Sequence, residues 1–299
     1  MPTIKELRLR IKSLQNTSKI TSAMKMVSAS RLRKAQEAFN RNRPYAEKIR
    51  DLLAQITASF QDLDHPLMKV REPKPGSRAK VRYYVLSSDR GLCGSFNNNL
   101  IKYYVRNLDR SKDFQSVGLG RRARDFIARN GLVGSKQIDN LTNVPTFASA
   151  TEIANGAIKD FLSGEVDQVF LVYNQFKSAL SQVPIMVQVL PFAKTATSSS
   201  AGTAAKKALA GPRLDYIVEP NAAEVFNELL PQLVTIQVYK SLLENAVGEH
   251  SARMTAMDSA TKNTKELIGS LTLKMNRARQ AAITKELIEI VSGAEALKG

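Results

Sequence analysis

The stretch LLPQLVTIQVYKSLLENAVGEHSARMTAMDSATKNTKELIGSLTLKMNRARQAA, residues 229–282, decides the fold of this chain. Apolar side chains recur in it at alternating spacings of four and three residues, and 12 of the 16 positions on this register are apolar. A heptad pattern of this length predicts a long helix that packs along a partner helix. The register, which we call the seam, comprises Leu229, Leu233, Ile236, Lys240, Leu243, Val247, His250, Met254, Met257, Thr261, Thr264, Ile268, Leu271, Met275, Ala278 and Ala282.

The first 60 residues carry a matching pattern that predicts the partner helix. A seam opens at Ile4, Leu7, Ile11 and Leu14. Three apolar residues then predict that it continues one position out of phase, at Ile20, Met24 and Val27. The first register returns at Leu32, Ala35, Phe39, Ala46, Ile49, Leu53, Ile56 and Phe60. Because this pattern resumes beyond Pro44, we expect the proline to kink the helix rather than end it.

One heptad helix at each end of a single chain predicts an antiparallel intramolecular coiled coil. At a rise of about 1.5 Å per residue, 3–60 would span roughly 87 Å and 221–297 roughly 115 Å, which leaves about 30 Å without a partner. A lone amphipathic helix must bury its apolar face against something else, and the alternatives are that it frays or packs back on its own domain. The apolar residues of this overhang are Ile283, Leu287, Ile288, Ile290, Val291 and Leu297.

The middle of the chain alternates strand and helix patterns, which predicts an α/β layer with a partly parallel sheet. The fold class is therefore α/β plus long helices, with a central Rossmann-like α/β domain between the coiled-coil helices. The expected division is an N-terminal helix at 1–60, a linker at 61–79, the α/β domain at 80–220 and the C-terminal helix at 221–299.

The composition limits the classes of function that the chain can have. The formal charge is +17, and residues 1 to 50 carry 13 basic and 3 acidic side chains. This excess allows a nucleic-acid-binding coiled-coil protein as an alternative, although few aromatic residues are available for base stacking. A single cysteine, Cys93, and two histidines exclude a disulfide framework and a metal site built from these residues. No cofactor is expected, and no run is long and apolar enough to span a bilayer.

The residues that could carry catalysis in the α/β domain form weak motifs. The turn from Arg90 to Gly94 follows a strand and precedes a helix, but it lacks the spacing and the lysine of a phosphate-binding loop. Cys93 has no histidine near it in sequence and is expected to be a small, half-buried core residue. His250 lies on the seam and is expected to be packed. An enzymatic α/β domain stays as a further alternative. The aspartates at 89, 109, 113 and 125 are expected to be solvated or capping.

Three stretches resemble one protein family. They are QNTSKITSAMKMVSASRLRKAQ at 15–36, SSDRGLCGSFNNNL at 87–100 and ARMTAMDSATKNTKELIGSLTLKMNRARQAAITKELIEIVSGAEAL at 252–297. In this order they resemble the gamma subunits of F-type proton-translocating ATP synthases. The resemblance implies a non-catalytic rotor subunit whose coiled coil stands inside a ring of three alpha and three beta subunits. Its α/β domain would dock with the epsilon subunit on the ring of c subunits, and nucleic acid would not be a partner.

The resemblance also implies interface residues. Met24 and Lys25 match a stretch near an acidic loop of beta. Tyr216 and Glu219 match the segment that contacts the c ring, although Val218 stands where the family often has a second tyrosine. The polar residues that would hydrogen-bond to the surrounding ring are Arg253, Arg279, Gln280 and Thr284.

The compartment follows from the same resemblance. A Met directly before the first helix favours a bacterial chain, peripheral to the inner membrane on its cytoplasmic face. The alternative is the matrix side of the mitochondrial inner membrane.

Overall fold

A computed structural model of the chain describes residues 3–59, 65–71, 78–132, 145–192, 219 and 221–296. Its longest elements are two helices, α1 (Ile4–Ser59) and α5 (Ala222–Ala296). Pro44 lies inside α1 without ending it, as predicted. Both helices begin with reciprocal side-chain caps. In α1 the Glu6 N–H donates to Thr3 Oγ1 and the Thr3 N–H donates to Glu6 Oε2. In α5 the Glu224 N–H donates to the Asn221 side chain at 2.8 Å.

The central region forms a four-stranded mixed sheet, which confirms the predicted α/β layer. The strand order is β2-β1-β3-β4, with β2 and β3 parallel to β1 and β4 antiparallel to β3. The strands are β1 (Lys80–Leu86), β2 (Asp113–Leu119), β3 (Gln168–Phe176) and β4 (Gln182–Leu190). The helices of this region are α2 (Phe96–Asn107), α3 (Arg121–Arg129) and α4 (Phe147–Leu162), and a short 3₁₀ helix covers Pro66–Met68.

Strand β1 is buried on both faces, which explains its apolar run over residues 83–86. Val81, Tyr83 and Val85 pack in one cluster with residues of α2 and α3. Tyr84 and Leu86 pack in the other cluster, with residues of α4 and the first part of α5. The sheet is therefore covered by helices on both sides.

Contacts within the chain divide its described residues into two units. We call the first, from Met1–Ala29 and Arg253–Gly299, the paired-helix unit. We call the second, Ser30–Ala252, the sheet unit. Both long helices contribute residues to both units. The predicted domain division, with the α/β domain at 80–220, stays a prediction.

In the paired-helix unit, the two helices run antiparallel. Lys25 contacts Asp258 and Thr21 contacts Thr261, so residue numbers fall in α1 as they rise in α5. From Thr261 onward, the covered residues of α5 follow the predicted seam, whereas most positions between them are exposed. The predicted coiled-coil pairing is confirmed for this unit.

The predicted shift of register in α1 is wrong. Ile20 and Val27 are 60% and 54% exposed, whereas Thr21 and Ser28 are buried and Met24 is half-buried. The first register therefore continues through hydroxyl side chains until it reaches Leu32. These hydroxyls can occupy the seam because each one is hydrogen-bonded: Thr261 donates to Thr21 at 2.7 Å, and Ser28 donates to the Met24 carbonyl at 2.8 Å.

In the sheet unit, the last part of α5 before Arg253 is buried on all sides and not only on its seam. Residues 241–252 are all buried, including the predicted packed residue His250. The Ser251 hydroxyl donates to the Ala179 carbonyl at 2.8 Å, and Gly248 admits the Phe96 ring so closely that an added Cβ would lie 3.1 Å from it. The strands and loops of the sheet thus cover the side of α5 that a two-stranded coiled coil would leave in water.

Glu244 is a carboxyl buried in this contact between α5 and the sheet. Its Oε1 accepts a hydrogen bond from the Phe176 N–H at 3.2 Å. Burial raises the pKa of Glu244, although Lys240, the Phe176 N–H and a hydrogen bond with Tyr173 act in the opposite direction. The folded chain therefore holds the proton more tightly than the unfolded chain does.

We expect Glu244→Gln to stabilise the sheet unit at neutral pH relative to the native chain. The free energy of unfolding of the native chain falls as the pH rises from the ordinary pKa of Glu244, 4.5, through the raised pKa of the folded state. A glutamine at this position does not titrate and causes no such fall. Thermal unfolding followed by circular dichroism at pH 4 and pH 7 measures the difference. The exposed Glu152→Gln is the matched control, for which we expect no such pH dependence. An equal shift for Glu244→Gln at both pH values would contradict the prediction.

Candidate interaction surfaces

An ion cluster joins the two helices of the paired-helix unit. Lys25 Nζ lies 2.7 Å from Asp258 Oδ1, and Lys262 Nζ lies 3.1 Å from Asp258 Oδ2. The hydrogen bond from Lys25, followed by that from Lys262, holds the pKa of Asp258 below its ordinary value. The hydrogen bond between Thr261 and Thr21 lies about one turn away along both helices. Lys25 is thus an interhelix contact as well as a predicted interface residue.

The C-terminal end of α5 presents a large apolar surface to solvent. Its large apolar side chains are 49–68% exposed, and every residue from 283 to 293 is exposed. Single exposed apolar residues are ordinary, but a continuous run of them marks an interaction site. The exposed residues are Ile283, Leu287, Ile288, Ile290 and Val291.

The other predicted interface residues fall into three groups. Arg279, Gln280 and Thr284 are exposed at the start of this apolar run. Arg253 differs from them because it is only 6% exposed within the chain itself. Glu219 is exposed, and Tyr216 lies outside the described residues. The structure therefore brings three of the polar candidates together on one stretch of α5.

Sequence reasoning missed Asp258 and Lys262, the two α5 members of the ion cluster. An aspartate and a lysine four residues apart on a helix are a recognised pairing signal. The first register of α1, continued without a shift, also places Lys25 on the seam opposite α5. Both signals were present in the sequence, but the assumed register shift hid the second one.

The turn between β1 and α2 is held by its own polar groups. The Ser88 N–H donates to Asn97 Oδ1 at 3.0 Å, and Asn97 Nδ2 donates to Ser88 Oγ at 2.7 Å and to Cys93 Sγ at 3.1 Å. Cys93 is buried, which is deeper than the predicted half-burial. Asp89 Oδ1 accepts from the Arg121 N–H at 3.0 Å, which is a capping role. These side chains stabilise the turn, which lies beside an open cavity of about 340 Å³.

Within the described ranges no three His, Cys, Asp or Glu side chains come together as metal ligands. No described helix combines the length and the apolar character that a membrane span requires.

Comparisons with known proteins identify the family. A family model described as ATP synthase matches residues 3–297. The ATP synthase gamma chain of Pelotomaculum thermopropionicum is 45% identical over 299 residues, which are all of both chains. A chain from the Euglena gracilis mitochondrial ATP synthase has the same fold, with a TM-score of 0.66 and 16% identity, and the match covers 98% of this chain and 94% of that chain.

A second solved structure supports the same fold. A chain from the central stalk and c-ring of the Tetrahymena thermophila mitochondrial ATP synthase gives a TM-score of 0.56 at 24% identity, and the match covers 81% of this chain and 99% of that chain. With the family match over residues 3–297 and the full-length identity to a gamma chain, these results show that the chain belongs to the ATP synthase gamma chain family.

Proposed function

We propose that this chain is the rotor subunit of the central stalk in an F-type ATP synthase and catalyses no reaction by itself. The helices at 1–60 and 221–299 form the shaft, and the α/β domain at 80–220 forms the foot. Proton flow turns the c ring and the shaft, and the shaft drives the catalytic beta subunits through their binding states in turn. Run in reverse, ATP hydrolysis turns the shaft and pumps protons.

The exposed apolar end of α5 carries this proposal. A helix with five large apolar side chains in water needs a partner that covers them, and a ring of three alpha and three beta subunits supplies one. Arg279, Gln280 and Thr284 are exposed at the start of this apolar run, and they are the proposed hydrogen-bonding residues toward the same ring. Met24, Lys25 and Arg253 are the other proposed contacts with the ring.

The proposed foot contacts the c ring through Tyr216 and Glu219, with the epsilon subunit beside it. The gamma chains at 40–45% identity are bacterial, which supports a position on the cytoplasmic face of a bacterial inner membrane. The matrix side of the mitochondrial inner membrane is the alternative.

The proposal is tested in membranes from cells in which the gene for this chain replaces the native gamma gene. We expect a tagged chain to copurify with alpha and beta subunits, and we expect inverted vesicles to pump protons on addition of ATP. Vesicles without the chain are the control and should not pump. The purified chain alone should not hydrolyse ATP. Pumping that is equal with and without the chain, or hydrolysis by the chain alone, would overturn the proposal.

A further inference from the structure

Asp258 holds two lysines at once, one from each helix of the paired-helix unit. Lys25 of α1 binds one carboxylate oxygen at 2.7 Å, and Lys262 of α5 binds the other at 3.1 Å. The two ammonium groups therefore do not compete for one atom. If Lys25 were drawn away, Lys262 would still neutralise the carboxylate.

The cluster lies at the surface, where a further group can reach it. The side chain of Lys25 is 45% exposed and that of Asp258 is 32% exposed. An ammonium has three donors, and Asp258 uses one of those of Lys25. The remaining donors can bind a second carboxylate that approaches from solvent.

The surroundings of Lys25 on α1 attract such a carboxylate. Between Glu6 and Glu37 this helix carries eight Lys and Arg residues and no acidic residue. The acidic group that holds Lys25 comes from the other helix, 233 positions away in sequence. An exposed ion pair contributes little to folding stability, so stability alone is a weak reason for this arrangement.

We propose that Asp258 is a positioning residue that holds the Lys25 ammonium at the surface of the paired helices for a carboxylate of a partner subunit, while Lys262 keeps Asp258 neutralised. This inference rests on the proposed function. A lysine side chain loses rotamer freedom when it binds, and holding it beforehand lowers that cost to the partner. Without Lys262, the carboxylates of Asp258 and of the partner would repel each other across Lys25.

The first test is a double-mutant cycle in the assembled complex, read as the ratio of ATP-driven proton pumping to ATP hydrolysis at low and high salt. We expect Lys25→Gln and Asp258→Asn each to lower the ratio by about threefold at low salt, the size of one exposed charge pair. Because Asp258 acts through Lys25, the double variant should be no worse than Lys25→Gln. Additive losses would overturn the proposal.

The matched control is Glu47→Gln, which removes an exposed partner from a 2.7 Å ion pair with Arg43 inside one helix. We expect it to leave the ratio unchanged at both salt concentrations. A loss equal to that of Asp258→Asn would show that any exposed ion pair has the same effect, and the proposal would fail.

A charge reversal separates positioning from simple helix pairing. The triple variant Lys25→Glu, Asp258→Lys, Lys262→Glu restores every attraction in the cluster with opposite sign. We expect the purified chain to melt within a few degrees of the native chain, yet the complex to couple as poorly as with Lys25→Gln. Native coupling in this variant would overturn the positioning role while leaving the rotor function intact. Failure of the rotor function would appear instead as pumping without the chain.

Discussion

Ending the chain after residue 260 should abolish ATP-driven proton pumping, whereas ending it after residue 285 should lower pumping only in part. The first cut removes the C-terminal half of the seam of α5, from Thr261 to Ala282. The second cut removes apolar side chains that are more than half exposed, such as Leu287 and Ile290. The two cuts therefore separate the part of α5 that forms the paired helices from the part that faces partners.

The difference follows from what α5 covers. Leu7 and Ile11 of α1 are buried in the paired-helix unit, and the antiparallel register places them opposite the second half of α5. Without that half, each would be returned to water at a cost of about 1.5 to 3 kcal/mol. The remaining α1 segment would be a lone helix, and torque could not pass through it. After the second cut, all of these contacts remain.

The effect is measured as ATP-driven proton pumping and ATP hydrolysis in inverted vesicles that contain chains ending after residues 260, 275 or 285. The control for the cut after 285 is a full-length chain with Leu287→Ser, Ile288→Ser and Ile290→Ser, which are exposed side chains that this cut removes. It keeps the helix and should match the cut after 285. Complete loss of pumping in both of these chains would show that the apolar end drives rotation, and our expectation that it only contacts partners would be wrong.

The long helices could be predicted closely because their signals are local. Both begin at side-chain caps that stand in the sequence, Thr3 with Glu6 and Asn221 with Glu224. The apolar period then repeats over many turns, so the prediction does not depend on any single residue. The strands were also predictable, since β1 contains an apolar run over residues 83–86 that leads into a glycine-containing turn.

The register of α1 could not be predicted in the same way. A count of apolar residues favours Ile20 and Val27, but Thr21 and Ser28 are buried because their hydroxyls find partners. A pattern based on hydrophobicity does not count a satisfied hydroxyl as a core position. Ile20 and Val27 are therefore apolar residues that lie off the seam and are exposed.

Burial of α5 inside the sheet unit was missed because its cover is remote in sequence. The Phe176 N–H that binds Glu244 lies 68 positions away, and the Ala179 carbonyl that binds Ser251 lies 72 positions away. The ion pair between Lys25 and Asp258 was missed for the same reason, because the two residues are 233 positions apart. Lys25 was identified through the family resemblance, whereas its pairing with Asp258 was seen only in the structure. Local sequence patterns therefore predict helices and strands, whereas the contacts between them depend on residues that are distant in sequence.

Gly120→Ala should lower the free energy of unfolding of the sheet unit by about 3 kcal/mol or more. Gly120 connects β2 to α3 with φ 98° and ψ 148°, which side-chain-bearing residues rarely adopt. A Cβ would also overlap the carbonyl oxygen of Ser87 at the end of β1. Ser87 is fully buried and cannot move freely, because its N–H donates to the Leu119 carbonyl and its Oγ accepts from the Ala123 N–H.

The matched control is Gly156→Ala in the interior of α4, where an added Cβ meets no atom within 4 Å. There we expect a gain of about 0.5 to 1 kcal/mol, because alanine favours a helix over glycine. Urea unfolding of the full chain, followed by near-ultraviolet circular dichroism of the buried tyrosines, measures both variants. The two substitutions add the same methyl group, so opposite signs isolate the effect of backbone conformation and close contact at Gly120. A loss below about 1 kcal/mol there would mean that the β1 and β2 ends separate easily, and the tight joint that positions α3 would have to be rejected.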